Sequence, residues 1–322
     1  MTNDDSAVPA TFGGPGWLGR VADHQADLAA GTYWRPAGIN NEYDPLEAVL
    51  ISAPSAHFAV RQNPESWLML EWPDLAELEA ECASIEAYFT SKGIICHTHR
   101  PSDPPPPNYL FMRDLIFMTP DGAYIGRPAS PIRAPEARWA AQAIAELGIP
   151  LLGMPTGEAT FEGADALWLD EQTVVIGHGA RTNTSGAEWL TRRLAEQGVE
   201  VITVPVPAEA QHLLGVVVPI SSGRALVDVE RMSAALSDLL NEREIEQINV
   251  EPGPENRYQR GMNVVVLGPD QLVMPAGCPQ MAAQFRLAGI EVDELPVNSY
   301  VKAAGALGCL TSIIRRSASH PR

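Results

Sequence analysis

A chain of 322 residues, 45% of them hydrophobic, with a formal net charge of −18, is long enough to bury a substantial core in one large or two ordinary domains. The negative charge repels phosphate backbones and anionic bilayer surfaces, so neither nucleic acid nor membrane is expected as a partner, and no apolar run reaches the length of a transmembrane span. Residues 1–10 lack the basic and apolar regions of a signal peptide, which makes a cytoplasmic protein the expectation.

The four cysteines, Cys82, Cys96, Cys278 and Cys309, are widely spaced. In a reducing compartment they read as free thiols rather than a disulfide framework.

Residues 1–35, rich in Gly, Pro, Ala and polar residues, read as a loosely ordered N-terminal arm, and 36–322 as a single domain. The run Gly14-Pro-Gly16-Trp-Leu-Gly19 has dinucleotide-fingerprint spacing, but no strand precedes it and Pro15 and Trp17 occupy the turn.

From Glu47 onward an internal repeat organises the chain. Four times an apolar run, a turn and a second apolar run recur: Leu115-Ile-Phe-Met with Ala123-Tyr-Ile, Ala166-Leu-Trp-Leu with Thr173-Val-Val-Ile, Val216-Val-Val with Ala225-Leu-Val, and Val264-Val-Val-Leu with Gln271-Leu-Val-Met. The turns between them carry hairpin residues such as Pro120-Asp-Gly and Ser222-Gly. Helical stretches follow at 135–147, 186–197, 230–241 and 279–288, and further strands at 149–152, 199–204, 245–250 and 290–295.

A fifth unit assembles from both ends. The run 310–314 pairs with 47–52, a helix over 74–92 follows with Leu75, Leu78, Cys82, Ile85 and Phe89 in one apolar stripe, and 93–96 is its last strand. Cys82 and Cys96 thereby fall in the core. Pairing strands from the two termini closes the ring and removes exposed edges. The expected fold is a five-fold α/β propeller of strand-strand-helix-strand units.

In this repeat Asp114, Glu162, His212 and Cys309 occupy equivalent positions, at steps of 48, 50 and 97 residues, while the unit near Gly261 contributes no obvious reactive group. Equivalent strand ends in a radial array face one mouth, so the four side chains converge. Each alone has a plain structural reading: a buried thiol, a satisfied histidine, a capping carboxylate. Their common phase points to catalysis instead. Cys309 is delivered by the small residues Gly305, Ala306 and Gly308, which permit close approach of a ligand.

Cysteine with histidine suits nucleophilic catalysis, and two carboxylates beside them suit a planar cation such as a guanidinium, whose charge also favours the thiolate. Zinc on one Cys, one His and two carboxylates is the weaker reading, since no close ligand pair anchors a site and His97 and His99 read as a strand face. No metal and no cofactor is expected.

The elements Asn108-Tyr-Leu-Phe-Met-Arg-Asp114, Phe161-Glu-Gly-Ala-Asp165, Gly177-His-Gly-Ala-Arg-Thr-Asn183, His212-Leu and Gly308-Cys-Leu-Thr together resemble those of the guanidine-modifying superfamily, over about residues 40–316. Its members include arginine deiminases, dimethylarginine dimethylaminohydrolases and amidinotransferases, built as pentein propellers. The resemblance implies Cys309 as nucleophile forming a thiouronium, His212 as general acid and then base, Glu162 as the carboxylate holding that histidine, and Asp114 as the one binding guanidinium nitrogens. It further implies Arg133 and Arg181 on a substrate carboxylate and Asn108 as a polar substrate contact, although Arg133 also reads as a solvated surface arginine and Asn108 as a turn residue. Asp165 reads as a support of its own loop.

One departure narrows the substrate. Deiminases and amidinotransferases have His-x-Asp, whereas this chain has His212-Leu213-Leu214, so a substituted guanidine fits better than plain arginine. The resemblance thus favours a hydrolase of an arginine derivative of the dimethylarginine dimethylaminohydrolase type, acting on a small cationic guanidino substrate. An amidinotransferase is the alternative, because Asn41-Glu-Tyr-Asp-Pro-Leu-Glu resembles the opening of those enzymes; a non-catalytic binding propeller is the third. A homodimer is admissible but not readable from the chain.

Overall fold

The computed structural model of the chain describes residues 8–317; residues 1–7 of the expected arm, and 318–322, lie outside the described residues. β1 (Leu46–Ser52) leads to a helix over Leu75–Ser91 and then to β2 (Ile95–His99). The Asp74 carboxylate caps the helix by accepting from the amides of Ala76 and Glu77, and Leu78, Cys82, Ile85 and Phe89 are buried along one face. A capped start and an apolar residue every third or fourth position explain why this segment is helical.

Four further units follow. β3 (Ile116–Thr119), β4 (Gly122–Ile125) and β5 (Leu151–Gly153) enclose the helix Glu136–Glu146. β6 (Ala166–Asp170), β7 (Thr173–His178) and β8 (Glu200–Pro205) enclose Thr184–Ala195. β9 (Val217–Ser221), β10 (Arg224–Asp228) and β11 (Glu246–Val250) enclose Ala234–Glu242. β12 (Val265–Gly268), β13 (Gln271–Pro275) and β14 (Glu291–Leu295) enclose Pro279–Leu287. β15 (Ser312–Arg316) then returns to β1, antiparallel, with Val49 opposite Ile313 and Leu50 opposite Ser312.

Five three-stranded sheets result, each with an antiparallel first pair and a parallel second pair joined through the helix. The expected five-unit α/β propeller and its closure by both ends of the chain are therefore observed. Element ends differ from expectation by up to about four residues, as terminal frays and one-residue bulges cause; β2 starts at Ile95 rather than at Gly93. Cys96 on that strand is only half-buried, not in the core, because β2 is the outer strand of its sheet.

First strands are covered on both faces, which is why they read as unbroken apolar runs rather than alternating ones. Leu167, Val218, Val265 and Ile313, one from each of four such strands, frame a cavity of about 20 Å³ at the centre. Polar groups plug it: Arg113 donates to Glu42 at 2.7 Å, and Arg316 donates to the carbonyls of Asp44 and Val266 at 2.5 and 2.9 Å. The segment preceding β1 is tied on: His24 in the helix His24–Ala30 contacts the Asp121 carbonyl at 2.8 Å, and the amide of Arg35 donates to Gly148. Among the described residues no helix is long and apolar enough to cross a membrane.

Candidate active site

Each axial strand is preceded by a tight turn that aims one side chain into the mouth of the propeller. Asp114 lies in the single helical turn Met112–Leu115 before β3, and Cys309 in Leu307–Leu310 before β15. Glu162 and His212 are the residues leading into short 3₁₀ turns, Gly163–Asp165 and Leu213–Gly215. These turns replace the first residues of the strands expected at Leu310 and Leu115. They bring the four residues together because they occur at the same point of every unit.

His212 turns Nε2 to Glu162 Oε2 at 2.7 Å and Nδ1 towards Asp114 Oδ1 at 3.7 Å. Glu162 is fully buried, and its other oxygen accepts the amide of Ala129. The loop carrying His212 is fixed by Asp165, which accepts the Leu213 amide at 3.0 Å and the Thr182 hydroxyl at 2.7 Å. Asp165 therefore supports the following unit rather than only its own loop. Thr182 in turn accepts the Glu162 amide, so the Arg-Thr-Asn motif holds both Glu162 and Asp165 in place within the second unit, and Asp165 carries the link to the third.

Burial alone would depress the His212 imidazolium pKa, but Asp114, Asp165 and Glu162 reverse this and push it up to about 9. Burial opposes ionisation of Glu162 too; its hydrogen bond to His212, with Arg133 and Arg181, nevertheless holds it well below the usual range. At neutral pH the two form an imidazolium–carboxylate pair. The Cys309 thiol is pushed up by burial and by Asp114, with Arg260 and the Asn263 hydrogen bond acting in the opposite direction.

Arg133 is 3% exposed. Its guanidinium donates to Asp114 at 2.6 Å, to both oxygens of Glu136 at 2.8–3.2 Å and to the Asn108 carbonyl at 3.4 Å, and it lies 3.5 Å from Glu162. The solvated-surface reading is overturned, because three carboxylates draw it inward. Arg181 is more open, with its side chain 19% exposed, 3.6 Å from Glu162. Asn108 donates to the Trp67 carbonyl at 2.6 Å, its own side-chain oxygen is buried without a hydrogen-bond partner, and the residue lines a small recess with Asp114, Arg133, Arg181 and Cys309. All seven residues singled out from the sequence thus gather around one mouth.

Three participants were missed. Asn263 fills the position in the fourth unit judged empty: its Nδ2 donates to Cys309 Sγ and its Oδ1 accepts the Cys309 amide, both at 3.0 Å. The repeat phase was the available signal, passed over because an amide is not a reactive group. Glu136, the clamp on Arg133, begins the helix Glu136–Glu146, and Arg260, beside the thiol, sits in a turn; neither is at the repeated position before an axial strand.

Gly308 owes its place to close packing. A Cβ there would come within 2.8 Å of the Val264 carbonyl, and at Gly305 it would enter the Phe111 ring. Gly305 and Gly308 therefore serve close packing against the Phe111 ring and the Val264 backbone rather than approach of a ligand.

Asp114, Glu162 and His212 present oxygen and nitrogen atoms within 4.8 Å of one another, close enough to chelate a metal. Two arginine guanidinium groups already lie against those carboxylates, and the fit is to planar cations, whose nitrogens match carboxylate oxygens in pairs.

The family model described as arginine deiminase matches residues 97–218. The N(G),N(G)-dimethylarginine dimethylaminohydrolase of Streptomyces coelicolor is 28% identical over 65% of this chain and 75% of its own length. That of Pseudomonas aeruginosa is 25% identical over 74% and 89%. Among solved structures, a dimethylarginine dimethylaminohydrolase adduct with 4-chloro-2-hydroxymethylpyridine superposes with a TM-score of 0.67 at 19% identity, covering 83% of this chain and 98% of that one. An amidinotransferase of the saxitoxin pathway from Microseira wollei gives 0.71 at 18% identity, covering 88% and 98%; at such identities the likeness is one of fold. The fold is that of the pentein α/β propellers, and the sequence matches, taken with the repeat-phased residues at the propeller mouth, make the chain similar to the guanidine-modifying superfamily.

Proposed function

We propose that this chain hydrolyses the guanidino group of an arginine derivative, in the manner of a dimethylarginine dimethylaminohydrolase. Cys309 is the nucleophile, His212 the proton donor and Glu162 its partner. One observation carries the reading: a thiol, an imidazolium and two buried carboxylates meet at one mouth, the imidazolium held by one carboxylate at 2.7 Å, while Oδ1 of the other, Asp114, lies 3.7 Å from the imidazolium and accepts no hydrogen bond.

That oxygen is the acceptor for a guanidinium N–H. Arrival of the cation offsets the effect of Asp114 on the thiol and favours the thiolate. Sγ then bonds to the guanidinium carbon, and the departing nitrogen takes a proton from His212, whose Nδ1 edge Glu162 leaves free. The same imidazole next removes a proton from water attacking the thiouronium, and the ureido product leaves with the thiol restored.

Arg181 and Asn108 border the small recess on one side of Cys309 and contact the substrate from there. Arg133, engaged at every nitrogen, chiefly orients Asp114. The Asn41–Glu42 motif that resembles amidinotransferases braces the fold: Asn41 bonds Asp44 at 2.7 Å, and Glu42 bonds Arg113. It therefore lends no weight to transfer over hydrolysis.

The test is mass spectrometry of protein quenched during turnover of free, methylated and hydroxylated arginines. The expected result is an adduct on Cys309 with a ureido product. An adduct cleared only by added amine would overturn hydrolysis in favour of transfer.

A further inference from the structure

Two spaces of different size meet at Cys309 and His212. On one side is the recess bounded by Asn108, Asp114, Arg133 and Arg181, with about 20 Å³ of free volume, room for roughly one water. On the other is a chamber of about 540 Å³ that includes Leu214, Gln211, Arg231, Arg257 and Arg260 in its lining, within the range of about 300–1,000 Å³ that holds small organic ligands. A guanidinium carbon at Sγ carries nitrogens directed to both sides. Leu214, where deiminases and amidinotransferases have an aspartate, itself offers no charge to an unsubstituted nitrogen on the chamber side.

The charges of the chamber are not evenly matched. Arg231 is neutralised by Asp228, which also accepts from Asn256, and Arg257 by Glu230. Glu209 is exposed at the rim. Arg260 differs: its Nη1 donates to the neutral amide of Gln211 at 2.9 Å, its Nε is buried without a partner, and among the described residues it forms no ion pair. Its backbone is left-handed, at φ 57°, and its carbonyl accepts the Asn263 amide at 2.8 Å. One strained turn thus delivers both Arg260 and the asparagine that grips Cys309.

We propose that the chamber binds an anionic substituent on the second side of the guanidino group, held by Arg260, so that the substrate is an arginine derivative whose far nitrogen carries a carboxylate-bearing arm. This deepens the hydrolase reading and rests on it for the word substrate. The S–C bond forms, the C–N bond to the arm breaks with its electron pair staying on nitrogen, and His212 protonates the amine. Water then yields the urea, so one guanidine and one water give one urea and one anionic amine.

The first test needs no substrate. Iodoacetate and iodoacetamide alkylate the same thiolate and differ in charge, so the ratio of their rates at Cys309, read by mass spectrometry, cancels thiol ionisation. In the wild-type protein that ratio is expected to exceed the ratio for a free thiol by about tenfold, as a guanidinium facing the reagent's carboxylate requires. Arg260→Gln should bring it down to the free-thiol value, and Arg260→Lys should keep most of it. A wild-type ratio no greater than that of the free thiol overturns the proposal, whether or not the variants fold, and so does a ratio that Arg260→Gln leaves unchanged. The second test compares N-carboxymethyl- with N-ethyl-arginine. The acid should win in kcat/KM by about tenfold or more, with KM carrying the difference and Arg260→Gln abolishing it. Turnover of neither compound with a positive alkylation result would overturn the guanidino reading while leaving the anion site standing.

Discussion

Asn263 holds Cys309 at two points, donating to Sγ and accepting from the backbone amide of the same residue, each at 3.0 Å. A single side chain thereby fixes both the position of the nucleophile and the direction of one sulfur lone pair. Hydrogen bonding to sulfur favours its charged form, against the burial that raises the thiol pKa. Asn263→Ala should lower kcat by about 100- to 1,000-fold, the range of a removed donor to a reacting centre, and should shift the pH dependence of Cys309 alkylation upward. Unchanged alkylation with impaired turnover would mean that Asn263 acts only on the fold.

The pairing of His212 with Glu162 sets a pH limit. An imidazolium pKa of about 9 in the folded chain, against 6.5 ordinarily, means that the acid needed by the leaving amine is present at neutral pH. Activity should therefore fall as pH rises through about 9. The linkage has the same sign: the folded pKa is raised, so its contribution to stability is complete below about 6.5 and disappears as pH rises through about 9. Glu162→Gln removes the negative partner, and the alkaline limb of kcat/KM should move to lower pH, with kcat reduced about 100-fold or more. A limb that stays in place would assign it to another group.

Much of this site was legible because the repeat was legible. Hairpin turns and apolar runs located the axial strands, and counting along them brought Asp114, Glu162, His212 and Cys309 into one phase before any contact was known. The same count passes through Asn263, 46 residues before Cys309, which only the geometry shows gripping the sulfur. Arg133 precedes the helix Glu136–Glu146 and Glu136 begins it, both away from the repeated position before the axial strands; their pairing follows from burial, and burial of a charged residue is the outcome a charged sequence position signals least. In its turn Arg260 itself, rather than the neighbouring Gly261, takes the left-handed backbone position, which its residue type does not announce.

The two arginines at the recess should separate stability from binding. Arg133 is clamped between Asp114 and Glu136 with almost no exposure, so Arg133→Leu leaves buried carboxylates without a counter-charge and should cost about 3–5 kcal/mol in chemical denaturation. Arg181 is partly exposed, 3.6 Å from Glu162; Arg181→Gln should cost less than about 1 kcal/mol while raising KM for an amino-acid substrate about tenfold. Equal stability losses in the two variants would contradict this division of roles.

Leu214 is 7% exposed and lines both the chamber and the central cavity. Its apolar side chain offers nothing to an unsubstituted guanidinium nitrogen, whereas an alkylated nitrogen loses no hydrogen bond there. Leu214→Asp should thus shift the kcat/KM ratio of arginine to its N-alkylated derivatives towards arginine by about 10- to 100-fold, the worth of one added hydrogen bond to a charged group. The carboxylate enters a largely apolar position, so a stability loss of roughly 2–4 kcal/mol should accompany it. Leu214→Asn is the companion variant, since it supplies an acceptor without a charge and should move the ratio in the same direction by less. If both variants fold and alkylate normally at Cys309 yet keep the original ratio, Leu214 does not face the nitrogen that distinguishes these substrates, and the chamber is not where the second substituent lies.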